Sequence, residues 1–186
     1  MKTIQIVLVT IWGALVIIPS FAQEMHLRIL AATGTVQEVR EALRYSNEVN
    51  KRDASGVSTL MLAAGSNHDP GVIAVLISAG ANINAHNTSG ETALFYAAQS
   101  NPNPELISAL LAAGAALEDR DALGRTPLMV AAWGNSNPAV INMLLKAGAD
   151  ARARSGAGKT ALDYAQDNPK LSQTSDAYQA LQAAIK

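Results

Sequence analysis

The stretch 95–117, "FYAAQSNPNPELISALLAAGAAL", sets good helix formers, with apolar residues at helical spacing, on both sides of two prolines. A proline inside a helix costs about 3 kcal/mol, because its ring clashes with the preceding turn and it brings no N–H to the ladder. Asn103, directly before Pro104, resolves the conflict. Asn is a favoured N-cap, and proline at the first helical position lacks only an N–H that would have had no partner. The prolines begin a second helix and do not break one.

Asp69-Pro70 and Asn137-Pro138 repeat the pairing at equal distances to either side. Gly56, Gly90, Gly124 and Gly158 keep the same interval, as do Gly80, Gly114 and Gly148. Such internal self-similarity at a fixed period marks a solenoid. The units run about 24–56, 57–90, 91–124, 125–158 and 159–186, the first degenerate and the last truncated. In the first unit, Thr35 and Glu38 of "TVQE" can form a capping box in place of the proline, with Gly34 just before them to end the previous helix. Along the second helices, Val72, Ile73, Leu76 and Ile77 recur as Leu106, Ile107, Leu110 and Leu111, then as Val140, Ile141, Leu144 and Leu145. That spacing puts all four on one helical face. Gly80, Gly114 and Gly148 follow where a left-handed C-cap is needed, and Ser46 holds that place in the first unit. A helix pair this short has too little surface to fold alone, so the core comes from stacking on neighbours.

The units resemble the ankyrin repeats. "GRTPLMVAAWG" at 124–134 and "INMLLKAGADARARSGAG" at 141–158 match the family pattern of a Gly, Thr-Pro-Leu, an Ala pair, a Leu pair and Gly-Ala, closing on a β-turn that carries the next Gly. The resemblance covers residues 24–186 and implies an all-α ankyrin repeat solenoid, with helix-turn-helix units joined by β-turns and about five repeats including degenerate terminal caps. Tetratricopeptide repeats also have a period of 34, but their Trp, Gly-Tyr and Pro placements are not found here. The chain departs from the family in three ways. Its period is one residue longer than the usual 33, with the extra residue in the loops "GSNHDP", "QSNPNP" and "WGNSNP". Thr-Pro survives only at Thr126-Pro127. Met61, Phe95, Met129 and Asp163 stand where the family has His, which leaves open the polar network that His makes between repeats.

Residues 1–22 read as a separate object. Lys2 precedes an uncharged apolar run from Ile4 to Ile18, followed by Pro19 and by Ser20-Phe21-Ala22, with small residues at the minus-three and minus-one places. This is the grammar of a secretory signal peptide cleaved after Ala22, leaving residues 23–186 as the mature domain. An uncleaved anchor is the alternative, since the uncharged stretch approaches the roughly 20 residues of a membrane span. An exported chain with no cysteine suits a bacterial periplasm better than a disulfide-rich exterior. Periplasmic location is therefore expected, extracellular location is the alternative, and no stable membrane insertion is expected once the leader is removed.

The chain is 49% hydrophobic and 16% charged, with a net charge of -1, and carries no Lys or Arg from Asp53 through Asp119. Phosphate-backbone binding needs several cations together, so nucleic acid is not an expected partner. Gly158-Lys159-Thr160 in "SGAGKTAL" ends like a phosphate-binding loop, but Ala153 stands where the loop's first glycine belongs and the preceding strand is missing. His26, His68 and His86 stand alone, without the paired spacing of a metal site. No cofactor is expected. Carboxylates sit at turns, where Asp121 can accept turn hydrogen bonds. Asn87-Thr88-Ser89 is a formal glycosylation sequon that would have no meaning in a bacterial periplasm.

In ankyrin proteins the β-turn tips and the exposed side of the first helices form a concave groove that binds other proteins, and the resemblance implies the same here. The chain is thus expected to be a protein-binding module and not an enzyme. Its alternatives are a small-ligand or enzymatic site in the groove and a secreted effector acting on another cell. Mapped onto this sequence, the turn candidates are Ser89 and Glu91, then Leu123 and Arg125. The helix candidates are Gln99 and Trp133, directly after the Ala pairs where an earlier unit has Gly65, together with Phe95 and Met129. Trp133 is the expected anchor, with Arg125 and Glu91 flanking it as a polar rim; lying over neighbouring small residues is its alternative role.

Overall fold

The computed structural model describes residues 6–11, 14–46 and 49–186, with side chains from residue 27 on. Lys2 and the side chain of His26 lie outside what is described. Two short strands, β1 (Ile6–Ile11) and β2 (Ala14–Pro19), pair antiparallel near the N-terminus. From Ser20 on, the described residues form helices and turns: α1 (Ser20–Thr33), α2 (Val36–Arg44), α3 (Thr59–Ser66), α4 (Pro70–Ser78), α5 (Ala93–Ser100), α6 (Pro104–Ala112), α7 (Pro127–Gly134), α8 (Pro138–Lys146), α9 (Ala161–Gln166) and α10 (Asp176–Ala184). The cleavage point expected after Ala22 falls inside α1.

Each helix starts where its capping chemistry allows. Asp69, Asn103 and Asn137 are the N-caps of α4, α6 and α8, their Oδ1 atoms accepting from the N–H of Gly71, Glu105 and Ala139 at 2.8, 3.0 and 3.0 Å. Proline is the first helical residue in all three. Thr35 and Glu38 form the expected capping box, in which Thr35 N–H donates to Glu38 Oε2 at 2.8 Å. Gly80, Gly114 and Gly148, just past the second helices, have φ of +88°, +94° and +94°, the left-handed conformation that favours glycine. Gly34 does not share it. It is a glycine for a steric reason, because a Cβ there would stand 2.8 Å from the Leu30 carbonyl oxygen.

The odd-numbered helices stack in one row, α1 on α3, then α5, α7 and α9, and the even-numbered helices form a second row behind them. The core fills the space between the rows. Val72, Ile73, Leu76 and their counterparts in α6 and α8 are fully buried, while the fourth members, Ile77, Leu111 and Leu145, are only partly covered. Burial of each such side chain contributes about 1.5–3 kcal/mol. The Ala pairs 63–64, 97–98 and 131–132 are also fully buried, and their small size lets successive first helices approach closely.

An asparagine ladder joins the units. Asn67, Asn101, Asn135 and Asn168 are buried at the ends of the first helices. Each turns its Nδ2 to two main-chain carbonyls of the preceding unit; Asn101 donates to Ala64 at 3.0 Å and to Asn67 at 2.7 Å. Each Oδ1 accepts an N–H two residues on, as from Asn103 to Asn101 at 3.0 Å. A buried amide with both ends satisfied adds stability, whereas removing it strands the carbonyls it served at about 1–3 kcal/mol for each unpaired group. Asn67, Asn101 and Asn135 lie in the very loops that lengthen the repeat beyond the family's usual period.

Candidate functional site

The first helices are set by their N-caps, Ser58, Thr92, Thr126 and Thr160, which recur at a constant interval along the chain. In α9, Asp163 completes a full capping box, accepting from Thr160 N–H at 2.7 Å and from its hydroxyl at 2.8 Å. These two bonds hold the Asp163 carboxyl below its ordinary value. Met61 and Met129 imitate it with sulfur, each thioether 3.4 Å from the N-cap N–H of Ser58 or Thr126. Phe95 offers no acceptor. Thr92 makes no capping bond, and its hydroxyl is buried without a partner. The caps act within one unit, and the polar links between units come instead from bonds such as those of the asparagine ladder.

Phe95 and Met129 are not groove residues. Each is 1% exposed, packed between the two rows of helices. A partner cannot reach side chains so fully enclosed; Met61, at the same position in α3, is buried as well, whereas Asp163 in α9 is only half-buried.

Trp133 is different, with 45% of its surface exposed. It stands beside a depression of about 570 Å³, lined also by Gln99, Ser100, Gly134, Ser136, Asp167, Asn168, Pro169 and Lys170. The ends of α5, α7 and α9 and the loops after α7 and α9 bring these residues together. At Gly65, which holds the place of Gln99 and Trp133 in an earlier unit, the Tyr96 ring lies 3.4 Å from where a Cβ would be. Burial raises the Tyr96 phenol above its ordinary value, and the bond it receives from Asn87 at 3.2 Å acts in the opposite sense.

Arg125 and Glu91 do not flank Trp133. Arg125 precedes the N-cap of α7 and Trp133 lies in its last turn, so the six helical steps from Pro127 to Trp133 alone, at a rise of 1.5 Å, set them about 9 Å or more apart. Arg125 is instead held in its own turn, with Nη2 2.6 Å and Nε 2.7 Å from Asp121 Oδ2. Glu91 accepts from Asn87 at 2.8 Å. Leu123, 64% exposed, and Ser89, also exposed, lie on the turn tips. Asp121 accepts the turn N–H groups of Leu123 and Arg125 at 2.9 and 2.8 Å, as its position implied.

The charges near Trp133 come from the last unit. Asp167 pairs with Lys159 at 3.0 Å, and the Lys159 ammonium lies 5.6 Å from the centroid of the Tyr164 ring. The bond from Asp167 raises the Lys159 ammonium above its ordinary value. Lys170 stands across the depression. Neither Asp167 nor Lys170 was selected by sequence pattern, although Asp167 holds the place of Trp133 in the following unit. The signal fades there because α9 is two residues shorter than α7 and the asparagine spacing falls from 34 to 33.

Other motifs are absorbed by the repeat. Gly158 closes a turn with φ +76°, Lys159 is paired and Thr160 is an N-cap, so the phosphate-loop resemblance is repeat grammar. His86 Nε2 lies 3.1 Å from Asp119. Among the described residues no group of three or more His, Cys, Asp or Glu side chains is placed to hold a metal ion, and no helix is long and apolar enough to cross a membrane.

Comparison with curated proteins finds no match. A family model of ankyrin repeats, in three copies, matches residues 60–155. With the all-helical two-row stack and the turn geometry described above, that match over half of the sequence places the chain in the ankyrin repeat family.

Proposed function

We propose that this chain is an exported protein-binding module, not an enzyme, and that it seats its partner on the first-helix side around Trp133. The observation that carries this reading is the exposed indole beside a depression, in a family whose members are generally protein-interaction modules. Aromatic side chains that fill partner pockets are the usual anchors of interfaces, commonly contributing about 2 kcal/mol or more when truncated. Gln99, Ser136, Asp167 and Lys170 supply the polar surround that such an anchor requires. Export rests on the leader grammar of residues 1–22, with the periplasm as the compartment that suits a cysteine-free chain.

The test is affinity capture from a periplasmic extract, comparing the wild-type chain with Trp133→Ala. The variant is expected to lose at least tenfold in capture, about 1.4 kcal/mol, while its unfolding midpoint stays nearly unchanged, because an exposed side chain away from caps and core carries little stability. Normal capture with a large stability loss would assign Trp133 to packing. Intact mass of the exported protein is expected to begin at Gln23; full-length chain confined to membranes would replace the module by an anchored one.

A further inference from the structure

Position 52 and its repeats at 86, 120 and 154 read Arg, His, Arg, Arg, and all four residues are exposed. They sit directly before the turn residues Asp53, Asn87, Asp121 and Ser155, and so line one edge of the solenoid. The arginines are held by main-chain carbonyls, not by acids. Arg52 Nη1 donates to the His86 carbonyl at 2.9 Å, Arg120 Nη1 to the carbonyls of Gly124 and Arg154 at 2.8 and 2.7 Å, and Arg154 Nη1 to that of Gly158 at 2.8 Å. A carbonyl orients a guanidinium without cancelling its charge. In each case only Nη1 is used, which leaves the Nε–Nη2 edge of a planar fork that matches a carboxylate in bidentate fashion. Of the acids beside this edge, Asp53 pairs with Arg28 at 2.8 Å and Asp121 with Arg125, while Asp119 pairs with the edge residue His86.

We propose that this edge, through the adjacent Arg120 and Arg154, binds an extended acidic segment of a partner protein, with carboxylates about three residues apart. The spacing follows from geometry. Stacked helices lie about 8–10 Å apart, so adjacent row positions are separated by roughly that distance, and three residues of extended chain at about 3.3 Å each span the same length. Because the guanidiniums are already oriented, little side-chain freedom is lost when a carboxylate arrives. The proposal rests on the protein-binding reading above but not on the Trp133 depression, which lies at the other end of the first helices.

The probes are synthetic peptides titrated against the full chain at low salt by fluorescence anisotropy: a Gly-Ser-Glu repeat, the same length with Gln for Glu, and a peptide of equal charge with its glutamates in one block. The spaced acidic peptide is expected to bind, the Gln peptide not to bind, and the blocked peptide to bind several-fold more weakly. Arg120→Gln with Arg154→Gln is expected to weaken binding about tenfold, and Arg120→Lys with Arg154→Lys to weaken it by less, since a point charge attracts a carboxylate without forking it. Trp133→Ala is expected to leave peptide binding intact, so failure of the Trp133 reading and failure of this one are distinguishable. The peptide comparisons on the wild-type chain hold even where an arginine variant loses stability. Equal binding of the Gln or blocked peptide, indifference to the double Gln variant, or tighter binding of a single-stranded oligonucleotide than of the spaced peptide would each overturn the proposal.

Discussion

Thr92 and Thr126 occupy the same place in successive units, yet only one of them caps its helix. Thr126 Oγ1 accepts the Met129 N–H at 3.4 Å, whereas the Thr92 hydroxyl is buried with no partner. Removing a capping hydroxyl costs about 1 kcal/mol, while removing an unpaired buried one relieves a desolvation cost. Thr126→Val is therefore expected to destabilise by about 1 kcal/mol, and Thr92→Val to be neutral or slightly stabilising, as read from urea unfolding. Equal losses in the two variants would mean that Thr92 caps α5 after all. The N-cap row was legible in the sequence because Ser and Thr recur in register. The failure at Thr92 was not, since it depends on whether the side chain three residues on supplies an acceptor once both are enclosed.

The elements themselves begin where local chemistry says they must, and two of them give direct tests. Pro104 is the first residue of α6, so Pro104→Ala is expected to cost under about 1 kcal/mol. Adding Leu106→Pro should raise the loss to a few kcal/mol, mostly because Leu106 is fully buried and its side chain leaves the core. At α9 the test is pH. The Asp163 carboxyl titrates below its ordinary 3.8 because the Thr160 N–H and hydroxyl bond its charged form. With the lower value in the folded state, this contribution is present above the unfolded value and is lost as pH falls through the folded one. Asp163→Asn is expected to be less stable than wild type near neutrality, with the two stability curves converging as pH falls below the ordinary carboxylate value. Parallel curves in urea titrations across that range would show that the carboxylate charge does not matter to the cap.

As a whole, the molecule is a row of units in which each touches only its neighbours, so protection is expected to be graded. Hydrogen exchange should be slowest in α3, α5 and α7, stacked on both sides, and faster in α2 and α10 at the ends of the outer row; uniform protection would indicate one all-or-none core. The sequence alone determined the repeat period, the N-caps at Asp69, Asn103 and Asn137, the second-helix apolar face and the left-handed glycines. Each of these is settled by near neighbours in the chain and then repeated in register. Tertiary structure decided what faces outward along the first helices. In "PLMVAAWG" of α7 nearly every residue is apolar, so no periodicity separates buried Met129 from exposed Trp133. Their fates depend on the helices stacked to either side. The same holds for the asparagine ladder, whose donors and acceptors come from different units, and for the arginine edge, where Arg120 finds the Arg154 carbonyl of the next unit. Bonds of that span exist only after the units stack, because stacking alone excludes water from the carbonyls and brings the partners within reach.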